Sequence, residues 1–224
     1  MITDKTLDFL QGLKANNTRE WFQSHRKDYD AAYGDFFDAV VQMVEVISSF
    51  DPVIADARPD PKSCIMRIYR DIRFSTDKTP YKTGFFAYVS KGGRKAPYGG
   101  YYFHLEPGGS FAGGGLYMPE PHLLDLTRRA IDARYDEWLS TVTARELLAQ
   151  FPDGIRPSGE TKRPPKGYEA SNPAIGYLKF KGYYTQRFFE DREVTAPGFI
   201  ENLGRIYRAV CPVIEFLNSS LIES

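Results

Sequence analysis

The sequence predicts an α+β fold: a central, mostly antiparallel sheet of about four or more strands over residues ~63–117, flanked by amino-terminal and carboxy-terminal helices. Three observations predict it. Apolar residues recur at helical spacing before residue 50 and again after residue 120. Short aromatic and β-branched runs lie between them, and glycine pairs join those runs. At 224 residues the chain fits one domain, 1–224, divided as helical 1–50, sheet 60–118, helical 120–150, long loop 152–176 and a last helix 197–219.

The elements follow in order. Leu7, Leu10 and Leu13 set a first helix. Asn17 with Glu20 forms a capping pair, and Trp21, His25, Tyr29, Tyr33, Phe37, Val40, Val44 and Ile47 share the face of one long helix or two in line. Asp51-Pro52 ends it. Cys64–Tyr69, Phe85–Val89, Tyr101–Leu105 and Ser110–Tyr117 read as strands, with Gly92-Gly93 and Gly108-Gly109 as their turns. Pro121 opens a helix with an apolar stripe from Leu123 to Trp138, and a short helix follows over Ala144–Gln150. Pro197 opens the last helix, which Pro212 should kink or split.

Composition excludes several function classes. Lys plus Arg equal Asp plus Glu at 29 each, so the whole molecule has no general attraction for nucleic acid or an anionic membrane. No apolar run reaches the length of a bilayer span. The first ten residues lack the apolar core of a signal peptide, so the expected location is cytoplasmic. Cys64 and Cys211 offer neither a disulfide framework nor zinc spacing and read as buried thiols. There is no nucleophile elbow, Walker loop or dinucleotide fingerprint, and neither a metal nor a cofactor is expected.

The neutral total hides a polarised chain. Residues 1–57 carry a net charge of −5 and residues 58–95 a net +7. The densest part is Arg67 to Thr83, where Arg67, Arg70, Arg73, Lys78 and Lys82 meet only Asp71 and Asp77. Guanidinium forks and mobile ammonium groups suit phosphate or carboxylate, so these five cations with Tyr81 form a candidate site for an anionic small molecule. The structural alternative is an internal ion-pair network in a non-catalytic or protein-interaction domain, with help from the acidic amino-terminal helices. Nucleic-acid binding is a weaker alternative, disfavoured by the neutral total.

The phrases Asn16-Asn17, Glu20-Trp21-Phe22 and Tyr29, then Arg67-Ile68-Tyr69-Arg70-Asp71-Ile72-Arg73-Phe74 with Asp77-Lys78-Thr79-Pro80-Tyr81-Lys82, resemble a known family. That family is catalogued as domain of unknown function 2461. Pro165-Lys166-Gly167-Tyr168 and Leu178-Lys179 extend the resemblance over nearly the whole chain. It implies a single domain of mixed helix and sheet, and it carries over no activity and no catalytic roles.

Four other features stand beside that segment. His104 and Glu106, two apart on a strand, share a face and are the weak catalytic candidates, as an acid/base pair. The bland reading of His104 is a solvated or tyrosine-bonded side chain. Gly113-Gly114-Gly115 within a strand marks a bulge or a close helix crossing. Lys162–Tyr168 could form a lid over the basic sheet, or a plain surface loop. Tyr69, Tyr81, Tyr88, Tyr98, Tyr101 and Tyr102 could stack bases, although tyrosines are ordinary strand formers.

Overall fold

Leu7, Leu10 and Leu13 are all buried on α1 (Asp4–Ala15) in a computed structural model that describes residues 1–94 and 96–221. Lys95, counted in the basic middle segment, and residues 222–224, the end of the single-domain span, lie outside the described residues. The long aromatic stripe divides into α2 (Arg19–Ser24) and α3 (Arg26–Ser48) at His25, whose ring stacks on Trp21 with centroids 4.0 Å apart. The cap of α2 is Thr18, which accepts the Trp21 amide, and not Asn17. Asn17 turns away to bond the backbone of Tyr81. Asp51 caps α4 (Pro52–Ala57), and Asp60 caps α5 (Pro61–Cys64).

That short helix displaces the predicted strand at Cys64–Tyr69. With Pro61 at its start and an aspartate cap, residues 61–64 are satisfied as one helical turn. Of this segment Ile65 and Met66 pair with the sheet backbone, by a bridge to Ala87 and an amide bond to the Phe86 carbonyl. From Arg67 the chain leaves the sheet and folds on itself, with Tyr69 bridged to Tyr81.

Three of the four predicted strands are present: β1 (Phe85–Val89), β2 (Gly100–Leu105) and β3 (Phe111–Leu116), paired antiparallel in sequence order. Then come α6 (Pro121–Ala133), α7 (Tyr135–Val142) and α8 (Arg145–Gln150). The expected long loop holds β4 (Arg156–Pro157) and runs into α9 (Ile175–Leu178). β5 (Tyr183–Phe188) lies beyond the predicted sheet span and pairs with β3. α10 (Asp191–Val194) and α11 (Phe199–Ser219) complete the chain. The sheet order is β1-β2-β3-β5-β4, antiparallel throughout. Pro212 does not split α11, because Val210, Cys211, Val213 and Ile214 bury the helix on both sides of it.

Strand alternation gives the sheet two unlike faces. Phe85, Ala87, Val89, Tyr101, Phe103 and Leu105 point into the core. The Phe36 ring of α3 lies 5.2 Å from Phe85 and 5.9 Å from Phe103. α11 crosses β3 so closely that a Cβ on Gly114 would meet Ile214 Cδ1 at 2.9 Å, as the close-crossing reading expects. Gly113 and Gly115 serve another contact, since a Cβ on either would run into the backbone of β5. The outer face carries Phe86, Tyr88, Tyr102, His104, Phe111, Tyr184 and Gln186, all half-buried. Among the described residues no helix is long and apolar enough to cross a membrane.

Candidate functional site

The basic segment is sorted by its own geometry into two groups. Arg70 donates to Asp77 and to both oxygens of Thr79, and Arg73 makes a two-pronged pair with Asp71. Lys78 donates to the Ile72 carbonyl at 2.9 Å. Tyr81 is 4% exposed and stacks on Phe22 at 4.2 Å, so it is a core residue of the segment's base. Hydrogen bonds from Arg73 hold Asp71 down to about 2, and the Thr79 amide with Arg70 holds Asp77 down to about 2. Both acids stay charged beside their arginines, which gives this half the character of a local ion-pair network.

Arg67 and Lys82 form the second group, joined by Arg94. Lys82 Nζ donates to the Arg67 carbonyl at 2.9 Å and sits 5.2 Å over the Phe86 ring. Arg94 spends one nitrogen, Nη1, on the carbonyls of Ser63 and Ile65, at 2.6 and 3.0 Å. Burial lowers the Lys82 pKa, and the neighbouring charges of Arg67 and Arg94 lower it further. No carboxylate lies within ion-pair distance of these three among the described residues. Like charges left together with no counter-charge repel one another.

Beside Arg94 the outer face of the sheet hollows into a cleft of about 670 Å³. Arg94 and Met66 stand at the β1 side, Glu120 and Leu123 at the far side, and Tyr88, Tyr102, Tyr184 and Gln186 line the interior. Its volume falls in the range of small-molecule sites, and its lining is aromatic with few polar groups.

His104 lies next to this cleft on the same face of β2. It is neither solvated nor tyrosine-bonded, because its Nε2 meets Glu106 Oε2 at 2.9 Å between the rings of Phe86 and Phe111. Glu106 also accepts from Thr83 at 2.8 Å and from Lys14 at 3.2 Å. Burial lowers the His104 pKa despite the opposing pull of Glu106. Burial would raise the Glu106 carboxyl, but hydrogen bonds from Thr83, His104 and Lys14 outweigh it and leave its pKa lowered. No group of three or more His, Cys, Asp or Glu side chains is placed to hold a metal among the described residues.

The Lys162–Tyr168 loop does not cover this face. Asn172 bonds Asp132 of α6 at 2.6 Å and Thr161 bonds the Lys179 carbonyl at 2.9 Å, at the edge of the sheet opposite β1. Buried Arg128 of α6 fixes the same region by donating to the carbonyls of Leu178 and Phe180.

A family model described as "Conserved hypothetical protein (DUF2461)" matches residues 5–216. The chain belongs to the DUF2461 family. No curated protein and no solved structure matches it. The matched span of this DUF2461 chain holds the sheet, the cleft and the basic segment, so the site belongs to the family domain itself. Arg94 is the residue that sequence reasoning missed in this DUF2461 protein. It lies in the glycine turn beyond the dense run, and only the bonds to Ser63 and Ile65 bring it beside Arg67 and Lys82.

Proposed function

We propose that this protein binds an anionic small molecule in the cleft on the outer face of its sheet, with Arg67, Lys82 and Arg94 as the anion-holding groups. The observation that carries this reading is Arg94 at the edge of a cleft of about 670 Å³, with Lys82 and Arg67 as its charged neighbours and no carboxylate within ion-pair distance of the three among the described residues. An anion arriving there replaces repulsion with attraction. At about 4 Å a single pair at a protein surface contributes roughly 4 kcal/mol before desolvation. Arg94 is pre-oriented by its two backbone carbonyls, so its Nε and Nη2 edge meets a phosphate or carboxylate without losing much side-chain freedom. Arg70, Arg73 and Lys78 have a supporting role, shaping the loop through their own pairs. The pairing in that half favours the structural reading there, and the two readings divide the basic segment between them. His104 and Glu106 border the cleft, and no reaction is assigned to them.

Melting temperatures measured with phosphate, pyrophosphate, sugar phosphates, nucleotides and short oligonucleotides test this. A ligand at about a hundred times its dissociation constant contributes ~2.7 kcal/mol, roughly a 5–10 °C rise for a chain of this size. The rise should vanish in Arg94→Ala and Lys82→Ala and persist in Arg70→Ala. A flat response across the panel, or a rise that survives both cleft variants, overturns the reading. A response to oligonucleotides alone transfers it to nucleic acid.

A further inference from the structure

The cleft is built for more than a free anion, and its floor and walls narrow the ligand further. We infer that it takes a planar nitrogen heterocycle bearing the anionic group, a ligand of the mononucleotide class. This rests on the anion-binding reading and deepens it.

The floor is the first observation. Gly100 pairs with Gly115 across β2 and β3, and Gly113 sits opposite Tyr102 two rungs along the same outer face. No side chain rises from Gly100 or Gly115, and the Tyr88 ring lies across them: its Cζ is 3.1 Å from where a Cβ on Gly100 would sit, and its hydroxyl is 3.4 Å from the Gly115 carbonyl. A second flat ring can lie against that phenol at van der Waals distance, while a branched or puckered group leaves gaps. The glycines therefore make room for the Tyr88 ring on the sheet surface.

The walls are the second. Tyr102 stands on one side of the Tyr88 ring, and Tyr117 and Tyr184 on the other, with the latter two rings edge to face at 5.3 Å. The Tyr88 hydroxyl is bonded to the Tyr98 carbonyl at 2.8 Å, which holds that ring in place before any ligand arrives. Aromatic walls of this kind favour a π-system between them.

The polar groups are the third. The Tyr102 hydroxyl and the Gln186 carboxamide line the cleft and have no hydrogen-bond partner among the described residues. A carboxamide offers one acceptor and two donors in a plane, which match the edge of a nitrogen heterocycle. An alkyl chain would bury these groups without partners. A bare sugar phosphate would satisfy them but leave the aromatic walls unfilled.

Calorimetric titration of the full chain with adenosine 5′-monophosphate, cytidine 5′-monophosphate, adenosine and ribose 5-phosphate separates the possibilities. The wild type should bind a nucleotide at least about tenfold tighter than ribose 5-phosphate, the gain expected from stacking one ring. Gln186→Leu and Tyr102→Leu should weaken nucleotide binding more than ribose 5-phosphate binding and so remove most of that gain, while Arg94→Ala should weaken both alike. Should Tyr102→Leu fail to fold, Gln186→Leu carries the comparison alone. Equal binding of nucleotides and ribose 5-phosphate, both lost in Arg94→Ala, overturns the ring and leaves the anion site standing. Adenosine binding as tightly as its monophosphate, indifferent to Arg94, overturns the anion site instead. Binding of none of the four overturns both.

Discussion

Asp51 is 3% exposed, and every oxygen it has is occupied. Its Oδ1 accepts the Val53 and Ile54 amides at 2.9 and 3.2 Å as the cap of α4, and its Oδ2 accepts the Tyr101 hydroxyl at 2.8 Å. One carboxylate thus joins a helix start to the middle of the sheet. Cys211 of α11 lies against the same hydroxyl, and burial pushes its thiol up to about 11, so it packs as a small apolar group. Tyr101→Phe leaves the shape intact and strips Oδ2 of its partner. The expected loss is about 1.5–3 kcal/mol, the worth of a hydrogen bond to a charged group. For a chain of this size that is a fall of roughly 3–12 °C in melting temperature. An unchanged melting curve would mean that water reaches Asp51 and the pair is not closed. The contrast with Asp71 and Asp77 is instructive, since those acids hold arginines at the surface, where ion pairs add little.

At the scale of elements, Phe22 and Asn17 of the helical layer hold the basic lobe, the first by stacking on Tyr81 and the second by hydrogen bonds. Asn17 Nδ2 donates to the Tyr81 carbonyl at 2.9 Å, and Asn17 Oδ1 accepts the Tyr81 amide at 3.1 Å, as a neighbouring strand would. Asn17→Ala removes both bonds and should cost about 1–3 kcal/mol. Hydrogen exchange should quicken at the amides of Arg70, Tyr81 and Lys82 ahead of the rest of the chain, because their bonds to Pro80, Asn17 and Ile68 close the lobe. Uniform quickening over all elements would show that the lobe has no separate stability. This contact also explains which elements could be read from sequence. β1, β2 and β3 follow one another, and their alternation with glycine turns was visible. β5 alternates just as clearly, with Tyr183 and Thr185 buried, but it pairs with β3 about seventy residues earlier, and no local turn announces that. Cys64–Tyr69 has strand composition, yet Asp60-Pro61 starts a helical turn and Tyr81 captures Tyr69. The site divides in the same way. Charge density marked Arg67 and Lys82, whereas Arg94 and Gln186 join them only through folding.

For the whole molecule, the decisive polar link runs from the first helix to the end of the second strand. Lys14 of α1, Thr83 before β1 and His104 of β2 all converge on Glu106. Phe86 and Phe111 close over the imidazole at 4.4 and 4.6 Å. Burial sets the folded pKa of His104 below its ordinary 6.5, so as pH falls the unfolded chain takes up that proton first. The unfolded state then holds more protons, and stability drops with pH until the folded imidazole also titrates. The folded pKa of Glu106 lies below its ordinary 4.5, so its contribution is present above that value and is lost as pH falls through the folded pKa. Both groups therefore act in the same direction, histidine first and glutamate at lower pH. Urea unfolding between about pH 7.5 and pH 5 should show the wild type weakening steadily across the histidine window. His104→Gln keeps a donor to Glu106 and has no proton to gain, so its stability should change less over that interval. Equal slopes for the two proteins would mean that the imidazole titrates alike in the folded and unfolded chain. His104 would then reach water through the mouth of the cleft, and the closure by Phe86 and Phe111 would be wrong.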